Sequence, residues 1–127
     1  MIKISEELFQ KLELPYRIVN IASGEMNDNA AKKYDLEGFF PAQNTYCELV
    51  SCSNCTDYQA RKLNIRYGVQ GALQDQQKHP VVHTLNSTAI ATERTICCLL
   101  ENHQNEDESI TIPLALQKYM KGKKKIP

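Results

Sequence analysis

A carboxylate and a hydroxyl stand three residues apart in Glu48-Leu49-Val50-Ser51. Glu48 and Ser51 offer the oxygen ligands that a hard cation such as Mg²⁺ takes, usually sharing the ion with substrate phosphates. In a flat strand, side chains three apart point to opposite faces. If both groups serve one ion, the strand must bulge or end near Val50. Spacing alone favours the plainer reading, an edge-strand glutamate and a turn serine.

A second block lies downstream. Asn86 and Thr88 are two apart and share one face of an extended segment. They offer a donor, acceptors and a hydroxyl to a small polar ligand, although ordinary strand-end polarity explains them equally. Arg94 falls near the start of a helix opened by Thr92, where free amide groups and the helix dipole favour anions. A guanidinium there can clamp phosphate oxygens or lie over a purine ring. Pairing with Glu93, Glu101 or a sheet carboxylate is the even alternative.

The thiols and imidazoles say less. Cys52-x-x-Cys55 follows a strand and precedes a helix, the setting of a redox dithiol. Ser53-Asn54 is not a typical pair between such thiols, and no βαβ unit precedes it. Cys97 and Cys98 are neighbours on a helix and diverge by about 100°, so they make no second zinc pair. Core thiols are the expectation. His79, His83 and His103 fall at no triad or metal spacing.

These groups need elements to position them. Ser5–Leu12 reads as a helix closed before Pro15. Tyr16–Ala22, Leu36–Phe40 and Tyr46–Ser53 read as strands, with a helical turn over Asn29–Tyr34 capped by Asn27 or Asp28. Thr56-x-x-Gln59 has the form of a capping box for a helix to about Leu63, followed by a strand at Ile65–Tyr67. Gly68–Pro80 is polar and reads as a loop. Val81–Ala91 looks extended, with the small residues Ser87, Ala89 and Ala91 on one face that a ligand or another backbone can approach. Thr92 caps a helix to Gln104 whose apolar positions are Ile96, Leu99 and Leu100, with His103 in the same row. Asn105–Ser109 is an acidic turn, Ile110–Ile112 a short extended piece, and Pro113 opens a last helix to about Met120. Connections of a few residues are too short for parallel crossovers, so the expected class is α+β, a mainly antiparallel sheet flanked by helices.

The chain has 127 residues, 42% hydrophobic and 24% charged, with a formal net charge of 0. That suits one modest globular domain or part of a larger one. A sequence pI near 6.8 supplies no global positive field for nucleic acid. The Lys-rich stretch 121–125, within a basic tail 121–127, is the only local candidate, and a solvated, mobile end is its simpler reading. No apolar run is long enough to span a bilayer, and the first ten residues lack a signal core. Five cysteines without a secretory signal point to free thiols and a cytoplasmic home.

Several motifs occur together in one order: Leu14-Pro15-Tyr16-Arg17, the stretch 30–37 reading AAKKYDLE, the stretch 48–62 reading ELVSCSNCTDYQARK, and the stretch 83–104 reading HTLNSTAIATERTICCLLENHQ. Together they resemble the seryl-tRNA synthetases, especially the cytosolic eukaryotic type, from Leu12 to Tyr119. The resemblance implies the C-terminal part of a class II synthetase catalytic fold over residues 1–120. It implies ATP-dependent formation of seryl-adenylate, then transfer to serine tRNA by a cytoplasmic homodimer. By similarity, Glu48, Leu49, Val50 and Ser51 bind ATP, with Glu48 and Ser51 at Mg²⁺. Asn86 and Thr88 fall at serine-binding positions. Arg94 is the third-motif arginine at the γ-phosphate end of ATP, and with Glu48 is assigned to catalysis.

Phe39 stands where the family commonly has Trp, and Lys62 where it often has Arg. The first and second class II motifs and the tRNA-gripping helical arm are not in this sequence, so the chain alone is expected to be inactive. A non-catalytic interaction module is the alternative function, and a small dithiol redox protein a third.

Overall fold

A computed structural model describes residues 1–68 and 80–127. The expected loop over Gly68–Pro80 and His79 therefore lie largely or wholly outside the described residues. Four strands, β1 (Tyr16–Asn20), β2 (Lys32–Phe40), β3 (Thr45–Thr56) and β4 (Thr84–Ser87), pair in sequence order. Every pairing is antiparallel, and between β2 and β3 the short connection 41–44 allows no other. Helices α1 (Ile2–Lys11) and α3 (Thr92–Asn102) cover one face, and α2 (Tyr58–Leu63) follows β3. Strands β5 (Ile110–Thr111) and β6 (Lys125–Ile126) form a separate antiparallel pair around helix α4 (Leu114–Gln117).

The core lies between the sheet and these two helices. Phe9, Leu12 and Leu14 come from α1 and its exit, Leu36 and Phe40 from β2, Leu49 and Val50 from β3, and Cys98 from α3. Gly38 sets the distance between helix and sheet. A Cβ there would collide with Leu49 Cδ1 and come within 3.0 Å of Cys98 Sγ. Removing that carbon lets α3 settle on β2 with a small residue, Cys98, at the contact.

This close seat turns α3 away from the face its apolar spacing suggests. Ile96 is 56% exposed and Leu100 41%, while Thr95 and Cys98 are buried. Asn102 fixes the rotation by donating to the Phe39 carbonyl at 2.9 Å. The imidazole of His103 meets the Leu12 carbonyl at 2.9 Å, tying the ends of α3 and α1 together.

Other local signals yield to the sheet. The helical turn expected over Asn29–Tyr34 is absent, because β2 begins at Lys32 and the Ala31 amide already donates to Asn54. Thr56 does not cap α2: it ends β3 at φ 45°, and Asp57 takes the cap position. Gln59 accepts from the Thr84 hydroxyl at 2.9 Å, joining α2 to β4. The strand expected at Ile65–Tyr67 is reduced to a bridge between Arg66 and Val81. Lys62 donates to the Tyr58 hydroxyl one turn before it. At the far end, the lysines of 121–125 are exposed as expected, but Lys125–Ile126 does not trail free. It pairs with Ile110–Thr111, and Ile112 donates to the Lys124 carbonyl at 2.8 Å.

Candidate active site

The face of the sheet opposite the helices is polar, and a bulge in β3 arranges it. Leu36 pairs with Val50 while Glu37 pairs with Glu48, so Leu49 is an extra residue in β3. An extra residue lets two consecutive side chains face the same way. Leu49 and Val50 are each 1% exposed and both face the core. Glu48 and Ser51 are thereby turned to the polar face together, which the flat-strand argument forbids.

The bulge also redirects the backbone. In a regular ladder, neighbouring carbonyls point to opposite edges of a strand. Here the carbonyls of both Glu48 and Leu49 reach the side where α3 begins. The Ala91 amide donates to Leu49 at 2.8 Å, and Arg94 Nη1 donates to Glu48 at 2.7 Å. Ala91, not Thr92, is therefore the residue before the helix, and the Thr92 hydroxyl donates to Glu93 instead. A guanidinium has five N–H donors, so one bond to a carbonyl leaves others for a ligand.

The segment after β4 completes this edge. Asn86 pairs across from Ser53, and the Thr88 amide donates to the Ser51 carbonyl at 3.0 Å. Asn86 and Thr88 are exposed and lie beside Ser51 and Ser53. The small residues expected to admit a close neighbour do so on the helix side: the Ser5 hydroxyl of α1 donates to the Ala89 carbonyl at 3.3 Å.

Sequence reasoning missed the neighbours of Glu48. Lys33 Nζ lies 3.3 Å from Asp35 Oδ2 and 3.9 Å from Glu48 Oε2. Asp35 pairs across from Ser51 and is 4% exposed. Further along, Arg17 Nε donates to Glu37 at 2.6 Å, and its guanidinium lies 4.4 Å over the Tyr46 ring, which packs on Phe39. The signal was present in the alternation Lys33, Asp35, Glu37, Phe39, which shares one face of a strand. It was masked by reading residues up to Tyr34 as helical.

The donor set suits Mg²⁺ in part. Glu48, 42% exposed, and Ser51 offer hard oxygens on one face, and among the described residues no group of three or more His, Cys, Asp or Glu forms a self-sufficient metal cage. Few protein ligands with phosphates completing the shell is the usual Mg²⁺ arrangement. The dithiol reading loses its geometry. Cys52 and Cys55 both lie within β3, before a helix that begins only at Tyr58, and all five cysteines are free. Cys98 is pushed up to about 11, chiefly by burial and then by Glu101, against an ordinary 9.0. Among the described residues, no helix is long and apolar enough to cross a membrane.

Comparison with known proteins bears on the family and the fold. The serine–tRNA ligase of Methanosphaera stadtmanae is 62% identical over 123 residues, covering 97% of this chain and 28% of that protein. The cytoplasmic serine–tRNA ligase of Arabidopsis thaliana is 58% identical over all 127 residues, again 28% of its length. The chain thus spans little more than a quarter of these curated relatives. The crystal structure of seryl-tRNA synthetase from Pyrococcus horikoshii complexed with ATP has a TM-score of 0.88 at 54% identity, covering 98% of this chain and 27% of that one. The cytoplasmic serine–tRNA ligase of Naegleria fowleri in complex with AMP gives 0.90 at 50% identity, covering 99% and 29%. With the tRNA synthetase class II core domain (G, H, P, S and T) matching residues 1–103, the chain belongs to the class II tRNA synthetase core family.

Proposed function

We propose that this chain supplies the C-terminal part of the catalytic domain of a serine–tRNA ligase. The reaction joins a serine carboxylate oxygen to the α-phosphorus of ATP and expels pyrophosphate. The seryl group then passes to a terminal ribose hydroxyl of serine tRNA, releasing AMP. The observation that carries the reading is the β3 bulge, which puts Glu48 and Ser51 on one face beside the Arg94 guanidinium and the Asn86–Thr88 segment.

Each group has a role fitted to its chemistry. Arg94 holds the γ-phosphate end of ATP, a task for a planar, permanently charged fork. Leu49 and Val50 place the strand under the nucleotide, with their side chains in the core. Asn86 and Thr88 hold serine, the hydroxyl of Thr88 offering one polar partner to the substrate. Glu48 and Ser51 would hold Mg²⁺, which when bound offsets charge on the phosphate oxygens. The complexes of relatives with ATP and AMP support the nucleotide. Relatives named as cytoplasmic support a cytoplasmic enzyme. The family resemblance extends the reading to a homodimer.

The test is serine-dependent pyrophosphate exchange, on the 127-residue chain and on the same chain joined to the upstream half of the catalytic domain of the Arabidopsis thaliana relative. Exchange by the joined protein and none by the chain alone is expected, because adenylate formation needs several groups placed around one developing charge. Exchange by neither, in a folded protein, makes the chain a non-catalytic module.

A further inference from the structure

One buried carboxylate beside the candidate site lacks a full set of partners. Asp35 is 4% exposed, and its Oδ1 has no hydrogen-bond partner. A buried acceptor left unpaired is costly, and such groups are rare in folded proteins. Its other oxygen lies 3.3 Å from Lys33 Nζ, and the same ammonium lies 3.9 Å from Glu48 Oε2. Lys33 therefore stands between a nearer, buried carboxylate and a farther, more exposed one. Its own side chain is only 12% exposed, so these two carboxylates are its counter-ions rather than bulk water.

We propose that Lys33 and Asp35 form a positioning pair for Glu48. While no cation is bound, Lys33 steadies Glu48 over the sheet. When a divalent cation takes the Glu48 carboxylate, the two positive charges repel, and Lys33 withdraws onto Asp35, whose free oxygen accepts it. A lysine suits this part because its ammonium is a compact charge with three donors on a flexible stem. An ionised carboxylate has acceptor capacity on both oxygens. Asp35 thus neutralises Lys33 and leaves the charge of Glu48 for the ion. This inference rests on the reading of Glu48 as a cation ligand.

Mn²⁺ is the probe, titrated into the 127-residue chain with ATP present and followed by the electron paramagnetic resonance signal of the free ion. Circular dichroism of each variant checks the fold. In Asp35→Asn, Lys33 has only Glu48 to neutralise, so Mn²⁺ affinity falls by about five- to tenfold, the range of a direct coupling between neighbouring sites. In the double variant Lys33→Gln/Asp35→Asn the competing charge is gone, and affinity returns to within about twofold of the unmodified chain. Lys33→Gln alone binds Mn²⁺ at least as tightly as the unmodified chain, and Lys33→Arg behaves like it. A double variant as weak as Asp35→Asn would mean that Asp35 is itself a ligand, and would overturn the proposal. So would a loss of affinity in Lys33→Gln, which is the second arm if Asp35→Asn fails to fold. Mn²⁺ binding that is equal in the unmodified chain and in Glu48→Gln removes the cation reading of Glu48, and this inference with it.

Discussion

Arg94 donates from Nη1 to the backbone carbonyl of Glu48 at 2.7 Å, linking the first turn of α3 to the bulge of β3. One bond thus couples the cation proposed to meet ATP with the carboxylate proposed to meet Mg²⁺. It acts through the main chain, so it does not occupy the Glu48 carboxylate. Of the two even readings of Arg94, a ligand clamp or a partner for Glu93, Glu101 or a sheet carboxylate, the hydrogen bond goes to neither a ligand nor a carboxylate but to a neutral carbonyl.

Replacing Arg94 with Ala in the joined protein is predicted to slow pyrophosphate exchange about 10²–10³-fold, the usual loss when a charge clamp on a transition state is removed. The side chain is exposed, so water replaces its bond to Glu48 and stability changes by about 1 kcal/mol or less. Lysine should rescue poorly, since a point charge cannot serve the carbonyl and a phosphate in one plane. Near-normal exchange with ATP below saturation would sink the assignment.

Thr88→Val keeps the shape of the side chain and removes its hydroxyl. If that hydroxyl faces serine, the KM for serine rises about tenfold or more, because the substrate loses a polar partner. The KM for ATP should stay within about twofold. Equal effects on both constants would mark Thr88 as a structural residue of the segment beside Ser51.

Gly38→Ala is predicted to destabilise the chain by about 1–3 kcal/mol, the usual range for overpacking. The added carbon meets Leu49 and Cys98, the two residues that seat β3 and α3. Shortening the neighbour should relieve part of the strain. In urea titrations, the combined cost of Gly38→Ala and Leu49→Ala should therefore fall at least about 0.5 kcal/mol below the sum of the singles. Strict additivity would show that the helix gives way elsewhere.

Cys98 predicts a pH dependence with a definite sign. Burial and Glu101 raise its thiol to about 11 from 9.0, so between these values the folded chain holds a proton that the unfolded chain has lost. Stability falls with pH wherever the native state binds more protons. This contribution is fully present below pH 9.0 and is lost as pH rises towards about 11. Cys98→Ser should flatten that part of the stability profile. At pH 8, alkylation should label exposed Cys97 readily and leave Cys98 until unfolding.

The amino-acid sequence by itself determined the class of fold and the family, and it named the residues proposed here for the site. Alternating and helical spacing are local properties, so β1, β3, α1 and α3 were legible within a few residues of their ends. What sequence left open was which groups share a face. Leu49 is an insertion into the ladder, and only pairing with β2 reveals that Glu37 meets Glu48 while Leu36 meets Val50. Pairing of β3 with β2 and with β4 overrode the capping signals at Asn27 and Thr56 in turn, because main-chain bonds to a neighbouring strand outweigh one side-chain cap. Pairing with β3 also brought Lys33, read as part of a helical turn, and Asp35, just beyond that turn, to the side of Glu48. The rotation of α3 was decided by a glycine on another element, since Gly38 sets how closely the helix may approach. Residue types and order are written along the chain. Facing, proximity and shared charge arise only when strands distant in sequence hydrogen-bond, and spacing along one strand carries no record of its partner's register.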